Sequence, residues 1–166
     1  MSIPQSHVEG VEAQLVARPI EGLTLDTSAT YVETEVDRFM GFDARAHFGD
    51  HSGTPFPFSP KWQSITNMDY AVPVSPRMKG FVGGSLTYNS RTFSGVGALD
   101  ILRIDPFALL DLRAGLELDD GRYRIWVWGK NVTDEYYWNN VLANANAIAR
   151  FVGQPATYGV SLSARF

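Results

Sequence analysis

Residues 107–130 read FALLDLRAGLELDDGRYRIWVWGK. Leu110, Leu112, Ala114, Leu116 and Leu118 alternate with Asp111, Arg113, Gly115 and Glu117. A period of two is the signature of a strand with one apolar and one polar face. Asp119-Asp120-Gly121 then marks a tight hairpin turn. Beyond it, Tyr123, Ile125 and Val127 alternate with Arg122, Arg124, Trp126, Trp128 and Lys130. Both of those faces are bulky, so the pattern leaves open which one points where. The spans 107–118 and 122–132 exceed the roughly 5–6 residues usual for globular strands. They suit the roughly 9–11 residues that cross a bilayer at a tilt.

The same alternation recurs over about 6–18, 23–35, 60–72, 78–90 and 155–166, and no segment carries a 3.6-residue stripe. The fold expected is all-β, an antiparallel meander of about seven long strands. Turns near 18–22, 73–77 (with PVSP as its centre) and 119–121 are short. Connections 36–59, 91–106 and 133–154 are long and rich in Gly, Asp, Asn and aromatics. Short turns at one end and long loops at the other are the layout of an outer-membrane barrel. Tyr31, Trp62, Tyr70, Tyr88, Tyr123, Tyr158 and Phe166 fall near strand ends, where an aromatic girdle is expected.

Composition narrows the classes. Of 166 residues, 19% are charged and 13% aromatic, against roughly 25% charged in ordinary soluble domains. A net charge of −4 without a basic run does not suit nucleic acid. With no cysteine, thiol catalysis and zinc ribbons are excluded. No apolar run of about 18 residues offers a transmembrane helix. The opening MSIPQSHVEG lacks the charged start and apolar core of a signal peptide.

Four motifs in order carry a resemblance. GVEAQLVARPIEGLTLDTSATYVETE (10–35), SPKWQ (59–63), GKNVTDEYYW (129–138) and RFVGQPATYGVSLSARF (150–166) resemble the C-terminal barrel of TonB-dependent outer-membrane receptors. Gln14 departs from the family's usual second Glu. The resemblance implies a segment of a transmembrane β-barrel of the roughly 22-stranded, plugged class. It implies the outer membrane of a Gram-negative bacterium and uptake of a scarce solute, such as an iron–siderophore, another metal chelate or a glycan. Implied partners are membrane lipid, the barrel-assembly machinery, the transported ligand and, through a plug outside these residues, the TonB system. No enzymatic activity and no cofactor are implied. The final strand resembles the assembly signal of such proteins, with Tyr158, Val160, Leu162, Ala164 and Phe166 as its lipid-facing ridge. Seven is an odd count, whereas single-chain bacterial barrels are even. Met1 is therefore expected to be an internal methionine of a longer receptor, with signal peptide, energy-coupling segment and plug upstream. Two alternatives stay open on pattern alone: a small autonomous or self-assembling barrel, and a soluble β-sandwich binding module.

Candidate site residues follow from the polar face. Asp111, Arg113, Glu117, Arg124, Lys130 and Arg165 form a possible lumen wall, as a wet barrel interior needs. HFGDH places His47, Asp50 and His51 in a long loop with Asp43 upstream. That spacing suits a solvated loop better than a metal site, because a loop fixes no ligand geometry. Asn131-Val132-Thr133 matches a glycosylation pattern but reads as a strand end entering a turn. The aromatics of FPFSP (56–60) either touch ligand or pack on one another. No nucleophile–base or paired-carboxylate arrangement suggests catalysis.

Overall fold

The computed structural model describes residues 3, 5–143 and 147–165; Phe166, the last residue of the expected ridge, lies outside them. The strands are β1 (Gln5–Ala17), β2 (Leu23–Arg38), β3 (Met40–Phe42), β4 (Phe48–Asp50), β5 (Trp62–Ser75), β6 (Met78–Asn89), β7 (Thr92–Phe93), β8 (Arg103–Ile104), β9 (Phe107–Leu118), β10 (Tyr123–Lys130), β11 (Trp138–Ala143), β12 (Ile148–Val152) and β13 (Thr157–Ala164). One 3₁₀ turn, Asp100–Leu102, is the helical content of the described residues. Seven long strands form a single antiparallel sheet in the order β1-β2-β5-β6-β9-β10-β13. The expected meander is the fold. Each long connection folds its own small hairpin, which periodicity did not foretell: β3–β4, β7–β8 and β11–β12.

Register carries the two faces across the whole sheet. Leu112 pairs with Gly84 and Gly129, and Ala114 with Val82 and Val127. Val127 pairs with Val160, and Ile125 with Leu162. Farther along, Met68 pairs with Leu25 and Tyr70 with Leu23. These side chains share one face. On the other, Arg124 sits opposite Glu117 and Ser163, and Trp128 opposite Arg113 and Gly159. Trp126 and Trp128 thus belong to the polar face, which settles the orientation that β10's bulk left open.

The apolar face covers nothing. Leu112 is 45% exposed, Val127 56% and Leu162 76%. The buried hydrophobic residues are Val36, Phe39, Leu102, Ile104 and Val141, all at the long-connection end. A soluble sandwich would bury the sheet's apolar face against a second layer. Among the described residues there is no second layer, and β1 and β13 each pair on one side only. Neither a β-sandwich nor a small closed barrel is therefore what this chain forms by itself.

One local expectation changes. PVSP is not all turn: β5 runs through Pro73 to Ser75, with an irregular register there, leaving Pro76 and Arg77 as the turn. Pro73 is tolerated because the pairing of β5 with β2 has already ended at Tyr70, so no ladder donor is missed. At 119–121 the expected Asp-Gly hairpin turn is found: the Asp119 carbonyl accepts the Arg122 N–H, and the central pair Asp120 and Gly121 takes positive φ (53° and 87°), as a two-residue primed turn requires.

Candidate functional site

Side chains of the polar face lie flat because glycines opposite them leave room. Gly115 faces Phe81 and Trp126: a Cβ there would lie 2.8 Å from the Phe81 ring and overlap the Ile125 carbonyl. Gly159 likewise accommodates the Trp128 indole, whose Nε1–H donates to Ser161 Oγ at 3.0 Å. An aromatic ring laid over a cross-strand glycine restores the packing that the glycine lacks. Arg124 stacks over Phe81 at 4.1 Å and over Trp126 at 5.3 Å. Such contacts hold a guanidinium without an acid partner. Beside them, Arg113 is paired with Asp69, both about half exposed. An exposed pair of this kind adds little stability.

Arg113, Trp126 and Trp128 frame a shallow concavity of about 250 Å³, with Asn67, Ser85 and Lys130 also around it. Of the six wall candidates, Asp111, Arg113 and Lys130 meet here. Arg124 and Glu117 sit together one step toward the short turns. Arg165 lies beyond the end of β13, its N–H donating to the Arg122 carbonyl. The surface combines cations with flat aromatic faces, a chemistry that holds anionic or aromatic groups rather than transforming them.

Asp111 has a prior engagement. Its Oδ1 accepts the Asn131 backbone N–H at 2.8 Å. Asn131 is 3% exposed and takes positive φ. Its Nδ2 donates to the Glu135 and Gln154 carbonyls, each at 3.0 Å, and its Oδ1 accepts the Glu135 N–H at 2.9 Å. Asp134 Oδ1 accepts the Ala156 N–H. The NVTD motif is thus a clasp closing the connection 131–156 at its root. Asn131→Ala should cost about 1–3 kcal/mol, since two carbonyls and one N–H lose part-buried hydrogen bonds to the same side chain. Denaturant midpoints of the folded barrel would measure it; an unchanged midpoint would remove the clasp.

The HFGDH loop is held by hydrogen bonds to its own backbone. Asp43 Oδ1 accepts the N–H groups of Arg45 (2.7 Å) and His47 (2.9 Å), and its side chain is 5% exposed. His51 Nε2 lies 3.2 Å from the Gly41 carbonyl, and Asp50 Oδ1 accepts both Ser52 donors. Among the described residues no group of three or more His, Asp or Glu side chains is placed to hold a metal ion. Burial pushes the Asp43 carboxyl up, but the two N–H donors, with the neighbouring His47 and His51, outweigh it and hold it below 3.8. With a folded value below the unfolded one, its stabilisation is complete above pH 3.8 and is lost as pH falls through the lower folded value. The Arg45 and His47 amide shifts should therefore titrate together with a midpoint under 3.8; a midpoint at or above it would contradict the bonding described. In FPFSP, the Phe58 N–H donates to the Phe93 carbonyl and the Phe56 N–H to Thr34 Oγ1, which ties down this backbone while Phe58 stays 52% exposed.

Residues 2–132 match the sequence family described as TonB dependent receptor-like, beta-barrel. Among solved structures, the chain is similar to the ferric yersiniabactin uptake receptor FyuA from Yersinia pestis, with TM-score 0.76 and 18% identity over 93% of this chain. It is also similar to the siderophore receptor PiuA (TM-score 0.71, 18% identity, 95% of this chain) and to BauA, the ferric preacinetobactin receptor (0.69, 21%, 95%), both from Acinetobacter baumannii. The chain spans 23%, 21% and 22% of the lengths of those three structures.

Proposed function

The chain belongs to the TonB-dependent receptor-like β-barrel family, and from that premise we propose that it is the C-terminal seven-stranded segment of an outer-membrane uptake receptor of roughly 22 strands. The receptor is a transporter, not an enzyme, and its solute is a scarce one of the iron–siderophore type. Energy reaches it from the TonB system through a plug outside these residues. The observation that carries the reading is the sheet's two faces: a continuous exposed apolar face and, opposite, a wall of arginines, tryptophans and small polar residues. Lipid covers the first face and the wet lumen the second. Arg113, Glu117, Arg124, Lys130 and Arg165 belong to that lumen wall, whereas Asp111 serves it by holding the Asn131 clasp. The ridge of Tyr158, Val160, Leu162, Ala164 and Phe166 is the strand that the assembly machinery reads. The long connections face the cell exterior.

Single cysteines in the full receptor test the faces directly, since this chain has none of its own. In proteoliposomes, a water-soluble maleimide should label cysteines at Ser85 and Ser161 and spare those at Ala114 and Val160. The reverse pattern, or no contrast, sinks the orientation. Uptake of a radiolabelled ferric siderophore by cells with and without the receptor tests the solute class; equal uptake from a panel of such chelates excludes it.

A further inference from the structure

We infer that the three long connections, 39–61, 90–106 and the described residues of 131–156 (131–143 and 147–156), form one preassembled cap keyed at Gly95. Loops on a barrel are ordinarily independent and mobile. Here the middle connection is wedged between the other two. Toward 39–61, the Phe58 N–H donates to the Phe93 carbonyl at 2.8 Å. A Cβ on Gly95 would lie 2.8 Å from Ala44 Cβ and 2.7 Å from Leu102 Cδ1. Gly95 thus fills the narrow space where 39–61 meets the cap's buried leucine. Toward 131–156, Leu102, Ile104 and Val141 are at most 3% exposed and form a shared apolar core, with Trp138 packed on it. The Ser94 hydroxyl bonds the Val141 carbonyl, and Phe107 stacks on Tyr137 at 4.4 Å.

Apart from Val36 near the loop end of β2, the buried hydrophobic residues among those described lie in this cap. A segment that holds its own core opens and closes as one cooperative unit. The surface that these connections present is therefore built before any solute arrives. The inference goes beyond the uptake reading and does not depend on which solute is carried.

Hydrogen exchange on the detergent-solubilised full receptor, with no ligand added, is the test. Gly95 has no positive φ, so Gly95→Val acts through space alone, as a wedge. Exchange is expected to rise several-fold in peptides from all three connections while β6 and β9 stay unchanged. Gly49→Ala, whose added methyl meets only His51 at 4.0 Å, should leave all three unaltered. A rise confined to 90–106, or no rise, overturns the inference. Should Gly95→Val lose its heat-modifiable, folded band on gels, Ser94→Ala takes its place. Removing that one hydroxyl must raise exchange in both 90–106 and 131–143, and unchanged exchange there overturns the cap equally.

Discussion

Leu112→Arg is expected to destabilise the receptor barrel by about 2–4 kcal/mol, the cost of an arginine at the bilayer midplane. Ser85→Arg, one step away, is expected to be nearly neutral. Leu112 lies at the middle of β9 and on the apolar face, 45% exposed. Its two cross-strand neighbours are glycines, Gly84 and Gly129. A guanidinium at this position finds no polar side chain beside it and must either stretch to an interface or stay among acyl chains. Ser85 instead pairs with Asn67 and Asp111 on the polar face, where an added cation meets a carboxylate and water. Gly115 looks like the natural lumen-side control in sequence, but it is unusable. Any side chain there collides with the Ile125 carbonyl and the Phe81 and Trp126 side chains, so its replacement would report crowding instead of lipid. Urea unfolding in lipid vesicles would measure both variants. Equal losses would mean that the two faces meet similar surroundings, and the membrane reading would fail.

The sheet was legible because its physics is periodic. One face meets an apolar medium along every strand, so Leu110 to Leu118 and Tyr158 to Ala164 announce themselves by alternation alone. Positions decided by a single long-range contact were not legible. Alternation puts Asp111 on the wall, but its partner is a backbone N–H twenty residues on, which leaves no periodic trace. Trp126 and Trp128 looked ambiguous because β10 is bulky on both sides. What seats them are Gly115 and Gly159 across the ladder, and only the register brings those residues opposite. The β3–β4 hairpin was hidden for a related reason. Gly41 and Gly49 face each other there, so one side of the hairpin has no side chain to alternate. The NVTD stretch was read as a strand end and is one, but the reach of Asn131 to Gln154 depends on a return strand that sequence spacing does not locate.

Expressed by itself in detergent-free buffer, this chain is expected to give no monodisperse species near 18.4 kDa. The accessible surface of the sheet and its loops is 10,890 Å². A compact monomer of this mass exposes about 8,200 Å², so the chain shows about a third more than a soluble fold of its size. The extra area is the sheet's own, with Leu15, Leu86, Val127, Val160 and Leu162 between 47% and 76% exposed. A contiguous apolar surface beyond a few hundred Å² drives association in water. The free sides of β1 and β13 add rows of unpaired N–H and C=O groups that pair readily with another chain. Both terms favour assembly, and the cap's small core of Leu102, Ile104 and Val141 lies too far toward the loops to cover either. Detergent should remove the first term by coating the apolar face while leaving the edges, so oligomers are expected to shrink without reaching a monomer. Multi-angle light scattering in the two buffers separates the contributions. A single 18.4 kDa species without detergent would refute the lipid-facing assignment outright.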